Sequence, residues 1–335
     1  MIIATASDAP VTGIVPKFRH LPRWRWVLIV LGLGLVVGIA FTTSSVVRRR
    51  STVPEAIVVL EWPDDPKSEP KIPVNDIAIG RRNGLGPAPD PRLIEALPMG
   101  LLPRIGDDGS RPSEIYARPA TPAVGNIGSE PRIAILISGA GIGHLATVEA
   151  MVKLPADIAL ALSPYATDID RQAADIRSEG HEIYLDLPIS QSSELYGGAG
   201  PRELGDSFDL ETNQSRLRWA LGRFPGYVGL SGHFRDRLKD GGSAASALAE
   251  LATRGLLQFD LSNDPINLDA DLRTQAIDDA LHRLEQTARE KGQAIGVAGT
   301  TPLAIDRLKN WSATLASRGF RLVPVSTLLH PTGAP

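Results

Sequence analysis

The sequence predicts an α/β protein in which helices flank a parallel β-sheet. Two observations support this class. Short apolar runs alternate with amphipathic helical patterns from residue 132 to the C-terminal region. The run RIAILI at 132–137 is continuously apolar after its arginine and leads into a glycine-dense turn, as expected of a strand that is covered on both faces. The alternation implies either a closed barrel or an open doubly wound sheet, and periodicity alone does not choose between them.

Seven strands and six helices account for the alternation. The strands are predicted at 132–137, 158–162, 182–187, 227–230, 256–261, 294–297 and 321–325. The helices between them are predicted at 145–153, 169–179, 211–223, 244–254, 274–291 and 302–318. The long helix carries an apolar stripe that predicts packing against the sheet, formed by Ile277, Leu281, Leu284 and Ala288.

A long uncharged segment, 26–47, precedes this domain. At a rise of ~1.5 Å per residue, a helix of this length spans about 30 Å, the thickness of a bilayer's hydrocarbon core. Four basic residues precede the segment and three arginines follow it. We therefore expect a transmembrane anchor at 26–47, preceded by an N-terminal arm at 1–25. A cleaved signal peptide is the competing interpretation, although no A-x-A-like cleavage site stands out. The nearly balanced flanking charges hardly determine the orientation.

The composition of residues 48–130 predicts a disordered linker. Prolines, glycines and charges recur throughout this segment, and its apolar residues follow no period. Such a segment cannot bury enough apolar surface to offset the entropy lost on ordering. Two apolar patches, 56–60 and 93–102, could nevertheless dock on the folded domain or on a partner.

The composition excludes several classes of function. The 335-residue chain has no cysteine, so disulfides, thiolate metal sites and a cysteine nucleophile are excluded. Its formal net charge of −3 is spread along the sequence and forms no basic face, so we expect no nucleic-acid partner.

Glycines between the first strand and its helix, at 139–143, raise the question of a dinucleotide site. The Rossmann fingerprint requires a glycine or alanine at its third position, where this chain has His144. A tight strand-to-helix turn explains the glycines without a ligand. Two serines near strand ends, Ser138 and Ser231, lack the G-x-S-x-G nucleophile elbow.

Metal ligation would require residues from separate strands. None of the six histidines forms an H-x-x-x-H pair. His233 and Asp260 follow or end neighbouring strands and are expected near the same rim of the sheet. They would supply two ligands, whereas catalytic zinc sites generally use three.

Several segments in the folded domain occur in an order and spacing typical of one family. They are RIAILI, KLPADIALALSPYA, GHEIYLDLPI, Gly200-Pro201, YVGLSGHF, RGLLQFD, GQAIG and WSATLASRGFRLVPVSTLL. In this arrangement the chain resembles the divergent polysaccharide deacetylases, a branch of the glycoside hydrolase/deacetylase barrel superfamily. The resemblance covers a domain at 131–330. It implies an irregular (β/α) barrel of about seven parallel strands of the NodB-like type, an envelope location and a carbohydrate substrate.

The chain departs from this family where chemistry is expected. The resemblance implies paired aspartates after the first strand, where this chain has Ser138 and Gly139. It implies a histidine before the Leu-Pro of the third strand, where this chain has Asp186. In metal-dependent members an aspartate acts as base toward a metal-bound water. Asp186 could substitute as a ligand only with favourable geometry.

Further departures follow the later strands. Ser231 and Gly232 replace an asparagine-rich run, although the following His233 is retained. Asp260 is also retained, and a late Gly-His-Pro is replaced. The degenerate positions are thus Ser138, Gly139, Ser231, Gly232, Ala298, Gly299 and Thr300. The candidate catalytic residues that remain are Asp186, His233 and Asp260.

Two functions from different classes remain open. In the favoured hypothesis the domain is non-catalytic and binds an envelope polysaccharide or a partner protein, with no metal or other cofactor. In the alternative it deacetylates or hydrolyses a polysaccharide at a site relocated to Asp186, His233 and Asp260, with a divalent metal such as zinc. In both, we expect a single-pass protein of the inner membrane with a cytoplasmic arm and a periplasmic barrel. The basic arm and the family's usual location motivate this orientation.

Overall fold

A computed structural model describes residues 85–119, 130–189, 199–235 and 241–329. Its main feature is a parallel sheet, preceded in the chain by a two-stranded antiparallel hairpin. The strands are β1 (Ile94–Leu97), β2 (Gly100–Pro103), β3 (Arg132–Ala140), β4 (Ala159–Leu162), β5 (Ile183–Asp186), β6 (Gly229–Gly232), β7 (Leu257–Asp260), β8 (Ile266–Asn267), β9 (Gln293–Gly299) and β10 (Arg321–Leu322). The helices are α1 (Pro112–Ile115), α2 (His144–Lys153), α3 (Ile169–Ser178), α4 (Leu210–Leu221), α5 (Ser243–Leu248), α6 (Thr274–Lys291), α7 (Pro302–Ala313) and α8 (Val325–Leu329).

The parallel sheet forms a half-barrel of seven strands. Its order is β7-β6-β5-β4-β3-β9-β8, and the short β10 pairs separately with the beginning of β3. Because β7 and β8 lie at the two ends of this order, no ladder between them closes the barrel within the described ranges. The structure thus confirms an α/β barrel-like sheet of parallel strands and shows that it is open on one side.

β3 is the central strand and is buried on both faces. Its isoleucines at 133, 135 and 137 pack in a core that contains residues of the flanking helices, including Leu217, Leu281 and Leu284. Its alternate residues, Ala134 and Leu136, pack in a second core with residues of β5 and β7. The period-2 geometry of a strand sends successive side chains to opposite faces, so two covered faces require the unbroken apolar run seen in the sequence.

The predicted helices differ from the observed ones mainly at their ends. α6 has the predicted bounds, whereas the helix expected at 302–318 leaves α-helical geometry after Ala313 and resumes as a 3₁₀ turn at Ala316–Arg318. The helix expected at 244–254 likewise becomes 3₁₀ after Leu248. β8 was not predicted, because two residues are too few to show a period.

The prediction of a disordered linker at 48–130 is wrong for residues 85–119. Leu93, Leu102 and Tyr116 are almost completely buried, although no regular spacing relates them. Hydrophobic periodicity detects one face of one element, and here the apolar side chains enter the core singly from a hairpin, a turn and a short helix. Docking of the 93–102 patch on the folded domain, one of the outcomes left open, is confirmed. The 56–60 patch lies outside the described residues.

This pre-barrel segment, 85–119, covers the N-terminal ends of β5, β6 and β7. The Arg118 N–H donates to Glu182 Oε1 at 2.9 Å, just before β5. The buried Arg177 donates to the carbonyls of Gly226, before β6, and Gly86 at 2.8 and 2.7 Å. The Ser113 N–H donates to the carbonyl of Gly255, before β7, at 3.1 Å. The pre-barrel segment therefore covers the N-terminal end of the half-barrel at these three strands.

The arm at 1–25 and the predicted anchor at 26–47 lie outside the described residues. Among the helices of the described ranges, none combines the length and apolar character of a transmembrane span.

We expect Leu93→Ala to destabilise the domain by about 2–5 kcal/mol, the usual cost of truncating a fully buried leucine. Chemical denaturation of the full chain measures this change. Met99→Ala is the matched control, because Met99 lies in the same pre-barrel segment and is 40% exposed. Its expected effect is within about 0.5 kcal/mol. Equal small effects of both substitutions would contradict a structural role for the pre-barrel segment.

Candidate active-site cleft

The C-terminal end of β3 is irregular where the family resemblance implies paired aspartates. The register between β3 and β4 shifts between Ile137 and Ala140. Gly139 has a φ of +75°, a conformation that glycine adopts without steric cost. This irregularity at the end of β3 directs the N–H of Gly139 toward β5, where the Asp186 carboxyl group accepts the hydrogen bond.

The carboxylate of Asp186, at the end of β5, connects the end of the adjacent β6 with the end of β3, which lies beyond β4 in the sheet. Its Oδ2 accepts hydrogen bonds from the Gly139 N–H at 2.6 Å and from the Ser138 hydroxyl at 3.0 Å. Its Oδ1 accepts a short hydrogen bond from the Ser231 hydroxyl of β6. These contacts form the Asp186 clamp, which consists of Ser138, Gly139, Asp186 and Ser231. Ser138, Gly139 and Ser231, which the sequence analysis treated as degenerate positions, therefore hold the candidate catalytic residue Asp186 in place.

Burial raises the pKa of the Asp186 carboxyl above its ordinary value. The hydrogen bonds from Ser231, Gly139 and Ser138 oppose this shift because they stabilise the ionised form. The Gly139 N–H can only donate to Asp186, whereas the hydroxyls of Ser138 and Ser231 can donate to a carboxylate or accept from a protonated acid. Both serine hydroxyls are directed at a carboxylate, whereas a hydrolase triad pairs its nucleophile with an imidazole.

A cleft of about 220 Å³ opens above the Asp186 clamp. His233, the retained histidine after β6, lines this cleft together with Asp186, as the sequence predicted for neighbouring strand ends. The other lining residues are Ser138, Ser163, Pro164, Tyr165, Leu187, Pro188, Ala199, Ser231, Gly232 and Leu261. Ser163 and Tyr165 were not identified from the sequence. Their position directly after β4 was the available signal.

Asp260 is not among the residues that line this cleft. Its Oδ1 accepts from the N–H groups of Phe234 and Ser262 at 3.1 and 2.9 Å, and its Oδ2 accepts from the Arg235 N–H at 3.2 Å. Asp260 thus fixes the backbone that follows His233, which makes it a positioning residue in this structure. The sequence predicted Asp260 in one relocated site with Asp186 and His233. The structure instead turns the Asp260 carboxylate toward these backbone N–H groups.

The late degenerate positions, Ala298, Gly299 and Thr300, lie at the end of β9. Ala298 is buried, and the Gly299 N–H donates to Asp269 Oδ2 at 2.9 Å. Thr300 occupies the turn that leads to α7. Asp269, which follows β8, was missed by the sequence analysis because β8 itself was not predicted. Its contact with Gly299 gives it a structural role at this edge of the sheet.

A catalytic zinc ion does not fit the residues of the cleft. The carboxylate of Asp186 already accepts three hydrogen bonds from protein donors, and Ser138 and Gly139 provide no anionic ligand beside it. Within the described ranges, no group of three or more histidine, cysteine or acidic side chains is arranged to hold a metal. Catalytic zinc generally requires three protein ligands.

One comparison with known proteins identifies the family. The family model described as divergent polysaccharide deacetylase matches residues 135–329. The crystal structure of an uncharacterized protein from Agrobacterium tumefaciens C58 is 29% identical, with a TM-score of 0.61, and the match covers 68% of this chain and 99% of that one. None of the curated proteins compared with the chain matches it significantly.

A second solved structure is more distant. It is the catalytic domain of a peptidoglycan N-acetylglucosamine deacetylase from Eubacterium rectale ATCC 33656, which is 14% identical with a TM-score of 0.40. The match covers 64% of this chain and 98% of that domain, and at this TM-score it supports no argument about function. The family model spans more than half of the 335 residues, and it coincides with the half-barrel that carries the cleft. The chain therefore belongs to the divergent polysaccharide deacetylase family.

Proposed function

We propose that this protein binds an envelope glycan in the cleft above the Asp186 clamp and does not deacetylate it. The observation that supports this proposal is that Ser138, Gly139 and Ser231 engage both oxygens of the Asp186 carboxylate and use three of its roughly four lone pairs. A general base or metal ligand needs a free lone pair directed at the reacting group, and these contacts leave only one, on Oδ1. Asp260 is similarly committed to backbone N–H groups.

The cleft nevertheless has the chemistry of a carbohydrate site. Hydroxyl groups from Ser163, the ring of Tyr165 and the imidazole of His233 line it. A few polar groups in a mostly preformed concavity are typical of small-molecule sites, because they orient a ligand without large conformational cost. The family to which the chain belongs makes a polysaccharide the preferred ligand class.

We also propose that residues 26–47 anchor the protein in the inner membrane, with the half-barrel in the periplasm. The uncharged length of this segment and the basic arm before it support the proposal. Alkaline phosphatase fused after Pro335 should be active, whereas a fluorescent protein that folds only in the cytoplasm should remain dark at the same position. The reverse result would contradict this orientation.

Purified full-length protein should contain far less than one zinc per chain and should release no acetate from acetylated chitooligosaccharides. Elemental analysis and an acetate assay measure these quantities, and the oligosaccharides' binding is measured separately by calorimetry. We expect His233→Ala to bind the oligosaccharides more weakly and, like the wild type, to release no acetate. Stoichiometric zinc, together with acetate release that Asp186→Ala abolishes, would instead establish the relocated active site.

The pH dependence of stability tests the state of Asp186. Because its folded pKa is raised, its contribution to stability is fully present below the unfolded value, about 3.9, and is lost as pH rises through the folded pKa. Asp186→Asn is nearly isosteric and does not titrate. Its amide oxygen can accept from Gly139 and Ser138, and its amide group can donate to Ser231.

We therefore expect the wild-type protein to lose stability relative to Asp186→Asn as pH rises from about 4 to neutrality. Urea denaturation of both proteins across this range gives the difference in unfolding free energy. A difference that is constant, or that changes in favour of the wild type with rising pH, would show that burial does not dominate at this carboxyl.

A further inference from the structure

Beside the cleft lies a group of side chains that the proposed function does not yet use. The ring of Tyr165, which lines the cleft, packs against Trp219 with the ring centroids 5.4 Å apart. The guanidinium of Arg202 lies over the same indole at 4.9 Å, and that of Arg223 lies at 5.7 Å. We call Tyr165, Arg202, Trp219 and Arg223 the arginine shelf. Tyr165 belongs both to the cleft wall and to the arginine shelf, so the shelf is continuous with the cleft wall.

Backbone contacts fix Arg202 against this wall. Its N–H donates to the Tyr165 hydroxyl at 3.0 Å. Gly200, two residues earlier, has a φ of +102°, and a Cβ there would lie 2.6 Å from the Tyr165 ring. The Leu204 N–H donates to the Pro188 carbonyl at 2.7 Å, on another wall of the cleft. The Gly200-Pro201 pair, noted in the sequence only as a family marker, therefore allows the close approach that positions Arg202.

The two arginines of the shelf differ in how their donors are used. Arg223 donates from Nε to the Pro164 carbonyl at 2.8 Å and from Nη2 to the Ala166 carbonyl at 3.2 Å. The guanidinium of Arg202 has no hydrogen bond or ion pair with any residue in the described ranges. Arg223 thus binds the loop that follows β4, whereas the guanidinium of the half-buried Arg202 stacks on Trp219 and leaves its N–H donors available.

Charges of both signs surround the arginine shelf, because the Glu203 carboxylate lies close enough to act on Tyr165 and the Asp170 carboxylate close enough to act on Arg223. Arg216 lies nearby and donates to the Glu203 carbonyl at 2.6 Å, with its guanidinium over the ring of Phe208. Within the described part of the chain, no carboxylate oxygen lies within ion-pair distance of Arg202, Arg216 or Arg223. Three arginines thus outnumber the two nearby carboxylates beside a cleft whose floor contains Asp186.

We propose that Arg202 binds a carboxylate or phosphate group carried by the glycan in the cleft. This inference rests on the glycan-binding function proposed above. The planar guanidinium can donate two parallel hydrogen bonds to either anion, and stacking on Trp219 orients it in advance. The Asp186 clamp on the cleft floor contains no cationic group that could bind an anionic substituent. Neutral sugar hydroxyls therefore face the Asp186 clamp, and the acidic substituent faces the arginine shelf.

Two pairs of oligosaccharides test this proposal on full-length protein. One pair is oligogalacturonate and its methyl ester, and the other is a phosphorylated oligomannoside and its dephosphorylated form. Each pair differs in its anionic group, so the pairs distinguish carboxylate from phosphate. We expect the wild type to bind the charged member of at least one pair about tenfold or more tightly, the effect of one charge-assisted contact.

The variants assign that preference to Arg202. Arg202→Gln should abolish it, Arg202→Lys should retain part of it, and Arg283→Gln should leave it intact because Arg283 is an exposed arginine on α6. Equal binding of charged and neutral forms, or a preference that survives in Arg202→Gln, would overturn this inference and leave glycan binding standing. No binding of any of the four oligosaccharides would count against both proposals.

Discussion

The burial of β3 on both faces is the constraint on which the rest of the fold depends. This strand pairs with β4, β9 and β10, so its polar backbone groups are satisfied within the sheet. Its side chains meet helices on one face and the interior of the half-barrel on the other. A strand in this position must be apolar until it leaves the core. The first residue at which polar chemistry can occur is therefore Ser138, and the cleft begins there.

The two ends of the half-barrel are stabilised in different ways. At the N-terminal ends of the strands, the pre-barrel segment contributes buried leucines and satisfies polar groups such as Glu182. Burial raises the pKa of Glu182, and its contacts with Ser326 and Arg118 oppose this shift by stabilising the ionised form. At the C-terminal ends, the Asp186 clamp joins β3, β5 and β6. In both places a buried acid connects segments that are distant in the chain, and its hydrogen bonds offset the cost of removing it from water.

This use of buried acids connects the fold to the proposed function. A carboxylate that holds three strand ends contributes to structure through the same oxygens that would otherwise bind a metal or activate water. The cleft retains its walls because these contacts keep the strands together, and the arginine shelf gives one wall a positive charge. Under the proposed function, the cleft would remain a binding site, and its selectivity would come from the arginine shelf.

The sequence by itself determined the α/β class, most strands and helices, and the family. These features are encoded locally, in strand and helix periods and in short ordered segments. Tertiary structure alone decided that residues 85–119 are folded, because their apolar side chains enter the core singly and without a period. It also decided that Asp186 contacts Ser138 and Ser231, that Asp260 turns toward backbone N–H groups, and that Arg202 lies on Trp219. Such choices depend on side-chain direction between elements far apart in sequence, which spacing along one element cannot specify.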